Sequence, residues 1–354
     1  MSTRDKKFDP NGLIPDNGNY FGIPLDPDDA ALVLISAPWD TTVSTRAGSS
    51  YAPDAIIEAS RFIDFYEPSA PNSWRKGIAT VPIDYTIQDM SHRLRSDADK
   101  IIALSNSGAE YIFENIIHER RLRRVNEASV VVNDRIYNQA KMWLERGKIV
   151  GLVGGDQSTA YGSIRAVAEH YGGIGILHID ARCNLKEYHY GFTHSHASIM
   201  HNVLRDVEGV QRLVSVGVRE FSPGEWERTE RDERIRLFTG QYIWNSHFEG
   251  VTWSSIVSEI VEALPELVYI SLDIDGLTIE CSPHTGTTIS GGLRFPEVVY
   301  LIGKIVASGR RIVGFDLTEV VPDAEDKTDA MIAARLLFKI CSMALKYVDA
   351  KDVL

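Results

Sequence analysis

The chain has 354 residues, 44% of them hydrophobic and 24% charged, which supplies material for a sizeable globular core. A formal net charge of −12 argues against nucleic acid or an anionic membrane as partner and leans modestly towards cationic ligands. Three scattered cysteines (Cys183, Cys281, Cys341) cannot make a disulfide framework, and no apolar run reads as a signal peptide or membrane span, so a cytoplasmic protein is expected.

Residues 1–30, rich in Asp, Pro, Gly and Asn, read as an irregular N-terminal arm. Residues 31–354 read as one α/β domain. Short apolar runs at 31–36, 77–81, 149–154, 174–180, 212–218, 234–238, 267–275 and 311–317 end in loop residues. They are aliphatic rather than alternating, as strands covered on both faces are. Helical patterns stand between many of them, at 53–60 (with a proline in the first turn), 158–171, 253–264 and 296–308. A charged segment at about 89–147 has Ile101/Leu104, Tyr111/Ile112 and Ile116/Ile117 spacings that predict a helical insertion, with the Arg-rich stretch 120–124 at an exposed bend. Strands alternating with helices predict a doubly wound, mostly parallel sheet.

Three segments carry the chemistry: Gly154-Gly155-Asp156-Gln157-Ser158, His178-Ile179-Asp180-Ala181-Arg182-Cys183-Asn184 and Ser271-Leu272-Asp273-Ile274-Asp275-Gly276-Leu277. Each follows an apolar run, so Asp180, Asp273 and Asp275 can converge beyond the carboxyl ends of the strands, where doubly wound sheets bind ligands. If 273–275 stays extended, Asp273 and Asp275 share one face.

With these segments in register the chain resembles the ureohydrolase family of arginase, agmatinase and formimidoylglutamase, and its agmatinase-like branch most, over about residues 31–346. That family has GGDHS, DAHxD and SxDxDxxDP segments that give six ligands to two manganese ions. The resemblance implies an eight-stranded, three-layer α/β/α fold and a homotrimer or homohexamer. It places the ligand positions at Gln157, Asp180, Arg182, Asn184, Asp273 and Asp275. Three keep a ligand of the family, while Gln157, Arg182 and Asn184 do not, and Thr278-Ile279 replaces Asp-Pro. His196 matches the family's proton shuttle and Glu319 the carboxylate that receives a guanidinium. Thr285-Gly286-Thr287 and Gly291-Gly292 match the loop and helix entry beyond the last metal segment.

Charge sharpens the question of what the altered set can do. Three aspartates and one arginine leave about two negative charges if every carboxylate ionises. One divalent ion, a cationic ligand, or Arg182 forking on to Asp180 and Asp273 or Asp275 can each answer that charge. Arginine cannot coordinate a metal. The expectation is therefore Arg182 turned into the cluster, no cofactor, and a non-catalytic protein that binds a small guanidino or amino ligand or serves as the regulatory subunit of a mixed oligomer with an active relative. The alternative is an agmatinase-like or other guanidino C–N hydrolase releasing urea with one residual or unusual metal site at Asp180, Asp273 and Asp275, a weakly held manganese ion being the cofactor then implied. A nucleophilic Cys183 and a separate site at His189, His194 and His196 are disfavoured.

Overall fold

The computed structural model describes residues 8–107 and 116–354. Eight strands follow in chain order: β1 (Leu32–Ala37), β2 (Ile78–Thr80), β3 (Ile149–Gly154), β4 (Ile174–Ile179), β5 (Val210–Val216), β6 (Ile235–Phe238), β7 (Leu267–Asp273) and β8 (Arg311–Thr318). They form one parallel sheet in the order β2-β1-β3-β8-β7-β4-β5-β6. The helices are α1 (Ala52–Ala59), α2 (Tyr85–Asn106), α3 (Ile116–Glu145), α4 (Ala160–Tyr171), α5 (Ile199–Asp206), α6 (Pro223–Arg231), α7 (Gly240–Phe248), α8 (Trp253–Ala263), α9 (Phe295–Ala307) and α10 (Thr328–Ala344).

Apolar residues fill both sides of the sheet, which is why the strands lack strict alternation. Leu32 and Leu34 join Ile56, Ile256, Leu301 and Leu337 of α1, α8, α9 and α10 in one buried layer. Val33 and Ile35, pointing the other way, join Ile101, Ile136, Ile164 and Val203 of α2 to α5 in the second. The doubly wound, three-layer expectation is met.

Local sequence sets the element ends. Asp84 caps α2 by accepting the Thr86 N–H. Pro223 enters the first turn of α6 behind a reciprocal Ser222/Glu225 capping box. The helical insertion expected at about 89–147 corresponds to α2 and α3, although its Tyr111/Ile112 step lies outside the described residues. The Arg-rich stretch 120–124 is not a bend. It lies within α3, where Arg121 and Arg124 reach Asp97 of α2 at 3.4 and 3.1 Å and fasten the two long helices together.

The chain visits the edge at β2, crosses to β4, β5 and β6, and returns to insert β7 and β8 between β4 and β3. The four contiguous strands β3, β8, β7 and β4 therefore end side by side, and all three motif segments issue there. Close packing holds that end. Gly155 N–H and Asp156 N–H donate to the carbonyls of Ala37 and Trp39 at 2.7 and 2.8 Å, and a Cβ on Gly155 would lie 1.9 Å from the Trp39 carbonyl oxygen. Gly155→Ala is expected to lower unfolding stability by ~3 kcal/mol. Gly224→Ala, where a Cβ meets nothing within 4 Å, is expected to be neutral or mildly stabilising in the same chemical denaturation experiment.

Candidate functional site

At the end of β3 the Asp156 carboxylate accepts the Ser158 N–H at 3.0 Å and the Ser158 hydroxyl, which turns the chain and sends the Gln157 side chain inward. Gln157 Nε2 donates to Asp180 Oδ2 at 2.9 Å. Asn184 Nδ2 donates to the same oxygen at 2.8 Å and to Gln157 Oε1 at 2.6 Å. His178 Nε2 lies 2.8 Å from that oxygen too, and its Nδ1 is 3.1 Å from the Ser215 hydroxyl. Asp180 Oδ1 accepts the Arg182 N–H at 2.7 Å. Both oxygens of this fully buried carboxylate are thus served by N–H donors.

Asp273 and Asp275 are held differently. The strand ends at Asp273, and residues 274–276 form a helical turn rather than a continuation of the strand, which corrects the extended geometry expected at 273–275. Asp273 Oδ1 closes that turn by accepting the Asp275 N–H at 2.9 Å. Asp275 Oδ1 accepts the Ala181 N–H at 3.1 Å, tying the β7 and β4 loops together. The two carboxylates still converge with Asp180: each of the three offers an oxygen within 4.8 Å of the others. Among the described residues this is the group of three or more such side chains that could hold a metal ion.

Glu319 follows β8 with φ at 63°, and Asn184 has φ at 52°. Both are buried non-glycine residues in the left-handed region, a conformation that the surrounding structure must enforce. Glu319 N–H donates to the Gly155 carbonyl, and its Oε1 accepts the Gln157 N–H, each at 2.9 Å. The Thr285 hydroxyl donates to the Glu319 carbonyl, and the Thr45 hydroxyl to that of Gly286. Glu319, Thr285, Gly286 and Thr45 line a small pocket together with His196, Arg182, Asn184 and the three aspartates.

Arg182 does not fork across the cluster as expected. Nη1 lies 3.3 Å from Asp275 Oδ2, and Nη2 turns outward, 3.5 Å from Glu220 Oε2. Asp180 meets the backbone of Arg182 and not its guanidinium. A second arginine is equally uncommitted to the carboxylates: the Arg219 guanidinium donates to the carbonyls of Gly217, Asp275, Leu277 and Ile289.

The electrostatics follow from these partners. Burial alone raises the Asp180 carboxyl, but His178 and the Arg182 N–H outweigh it and hold the group below the usual range. Burial, Asp275 and Asp180 drive Asp273 well above that range. Asp275 is raised to about 7 by burial and Asp180, with Arg182 only partly offsetting them. Burial and the nearby Asp156 carboxyl push Glu319 well up. Asp273, Asp275 and Glu319 are therefore short of positive partners: Arg182 only partly offsets Asp275, and Arg219 spends its guanidinium on backbone carbonyls.

Part-buried His196 reaches the pocket, with Nδ1 unpartnered among the described residues and its basicity depressed to about 3, first by burial and then by His189 and Arg182. His189 and His196 rings approach to 5.7 Å, but the three loop histidines do not form a converging metal-capable group. Cys183 is buried in the apolar layer and its thiol is pushed up by that burial, so it is a packed thiol.

Several participants escaped the sequence reading. His178, two residues before Asp180 and therefore on its side of β4, carries a usable signal. Asp316, Arg219 and Glu220 acquire their roles only through tertiary proximity. Asp316 is buried beside the Ser271 hydroxyl, raised to about 7 by burial, and leaves Oδ2 without a partner among the described residues.

Among the described residues no helix is long and apolar enough to cross a membrane. Residues 30–342 match the model of the arginase family. The chain is 30% identical over 315 residues to an N(1)-aminopropylagmatine ureohydrolase of Thermus thermophilus, covering 88% of this chain and 89% of that protein. It is 25% identical over 311 residues to an agmatinase of Bacillus anthracis, covering 87% and 89%. Among solved structures, the proclavaminate amidino hydrolase of Streptomyces clavuligerus superposes with a TM-score of 0.73 at 21% identity, covering 95% of this chain and 100% of that one. The agmatine ureohydrolase of Thermoplasma volcanium gives 0.67 at 23% identity, covering 92% and 93%. The fold, the three strand-end segments and these likenesses agree: the chain belongs to the arginase family.

Proposed function

We propose that this protein hydrolyses the guanidino C–N bond of a small linear amine derivative, releasing urea and an amine, in the manner of the agmatinase-like branch. The observation that carries the reading is the geometry: Asp180, Asp273 and Asp275 converge within 4.8 Å beside Glu319 in one small pocket, and Asp273, Asp275 and Glu319 are left short of positive partners. This supports the hydrolase over the metal-free, non-catalytic protein expected from the substitutions alone. That expectation rested in part on Arg182 neutralising the cluster, and its guanidinium touches one carboxylate at 3.3 Å.

The donor set fits one divalent ion better than two. Gln157 and Asn184 direct amide N–H groups at Asp180 Oδ2, and an N–H pointing at a carboxylate excludes a cation from that lone pair. Asp273, Asp275 and the remaining capacity of Asp180 Oδ1 form an oxygen set suited to manganese or another hard ion. Such an ion, when bound, supplies a water made acidic enough to act as nucleophile near neutral pH. The chain's own residues do the rest. Glu319, once ionised by an incoming guanidinium, pairs with it and fixes the guanidino carbon over the carboxylates. His196, kept neutral by burial at the pocket wall, is the side chain placed to relay a proton to the departing amine. The donors on Asp180 keep that carboxylate ionised and oriented.

A second reading keeps the guanidino ligand and drops the chemistry. It is favoured by the same saturation of Asp180, which leaves the site short of ligands compared with a two-ion centre.

After chelation and reloading with manganese, elemental analysis is expected to find about one ion per chain, and urea release is expected from agmatine, arginine or guanidinobutyrate. Ligand binding without urea at full metal occupancy would favour the second reading. Glu319→Gln is expected to lower kcat/KM roughly a hundredfold with metal content unchanged. Restoring Gln157→His, Arg182→His and Asn184→Asp together is expected to admit a second ion; uptake that stays at one ion would mean the surrounding shell no longer supports the pair.

The cluster also sets a pH dependence. Asp275, raised to about 7 when folded, holds a proton that the unfolded chain has already released near pH ~4. Ionising it between those values costs stability, and the cost is present in full above the folded value. In chelator-treated protein, Asp275→Asn is therefore expected to raise Tm by ~2 °C more at pH 8 than at pH 5. Equal gains at both pH values, measured by differential scanning calorimetry, would show that Asp275 is not the strained group.

A further inference from the structure

Arg182 is poised between two carboxylates and bound tightly to neither. Its contacts to Asp275 and Glu220, 3.3 and 3.5 Å, exceed the ~2.7–2.9 Å of a well-made charge-assisted hydrogen bond. The inner partner is buried, with its side chain 5% exposed, and the outer one is 61% exposed. The Arg182 side chain lies between them at 23% exposure, along the wall of the pocket.

The backbone around it does not share this looseness. Arg182 N–H is fixed on Asp180 Oδ1, and the N–H groups of Arg219 and Glu220 both donate to the Ala181 carbonyl, at 2.8 and 3.1 Å. A single parallel bridge joins Arg182 to Glu220. The backbone of Glu220 is therefore anchored beside the root of the arginine, while the guanidinium sits at the end of a flexible stem. Arg219 cannot play the same part, because its guanidinium is held by backbone carbonyls.

Resting on the single-ion reading above, we propose that Arg182 is a tethered gate on the cation site: it occupies Asp275 when the site lacks an ion and yields by swinging wholly on to Glu220 when one enters. The guanidinium and the ion compete for Asp275 Oδ2, and two cations cannot share one small cavity without strong repulsion. Glu220 lowers the cost of the outward position by receiving the displaced charge at the solvent edge. The residue that replaced a metal ligand thus acts as a brake on metal occupancy, setting the ion concentration at which the site fills.

The test is isothermal titration of manganese into chelator-treated full-length protein, comparing wild type, Arg182→Gln, Glu220→Gln and the double variant, with Arg182→Met as a second removal of the cation. Arg182→Gln and Arg182→Met are expected to tighten binding by at least ~10-fold. Glu220→Gln is expected to weaken binding several-fold in the wild-type background and to have little effect once Arg182 is gone, because its part is to receive the guanidinium. Unchanged or weaker affinity on removing Arg182 would overturn the gate and leave the single-ion reading standing. Equal effects of Glu220→Gln in both backgrounds would also overturn it, since Glu220 would then act only through its own charge. Absence of binding in all five proteins would overturn both.

Discussion

Everything at this site turns on burying several carboxylates at one end of a parallel sheet. Four neighbouring strands finish on the same side and each delivers an acid or its partner within three residues: Gln157 after β3, Asp180 after β4, Asp273 at the end of β7 and Glu319 after β8. The fold makes convergence unavoidable, and low dielectric makes convergence of like charge expensive. The protein can answer with hydrogen bonds, with internal cations, or with something from outside. It answers Asp180 from within and leaves Asp273, Asp275 and Glu319 with too little.

The substitutions explain that division. Gln157 and Asn184 are close in shape to the ligands the family uses, but each turns an electron-pair donor into an N–H donor. Aimed at Asp180 Oδ2, they hold its negative charge in place from one side while His178 does so from another. The consequence is three carboxylates that are no longer equivalent. One is a satisfied structural anion that orders the loops of β3 and β4. The other two remain the part of the set with affinity to spare.

Much of this was legible in the chain because parallel strands announce their ends. An apolar run followed by Asp or Gly-Gly-Asp places a carboxylate at the crevice, and the three registered segments fixed which carboxylates meet. The direction of Arg182 was not legible, because a flexible side chain chooses among acids that only the tertiary structure brings near, and Glu220 lies outside every motif. The turn at 274–276 is hidden in the sequence because Ile274 continues the apolar pattern of β7, while the side chain of Asp273 captures the Asp275 N–H and ends the strand. The Arg-rich stretch 120–124 looked like a solvated bend because charge hides helical phase; its acidic partner, Asp97, sits in another helix.

These differences between sequence and structure share a cause that bears on the site's chemistry. A residue type states what a side chain can do, and its neighbours decide which of those things it does. Arginine at a ligand position looks like the end of metal binding when it is counted as one charge inside a cluster. Placed at the rim, with a buried acid before it and an exposed acid behind it, the same residue changes when the cluster accepts a cation rather than whether it can. Asp273 and Glu319 stay short of positive partners with Arg182 where it stands, so the arginine leaves in place the electrostatic demand that an entering cation would meet.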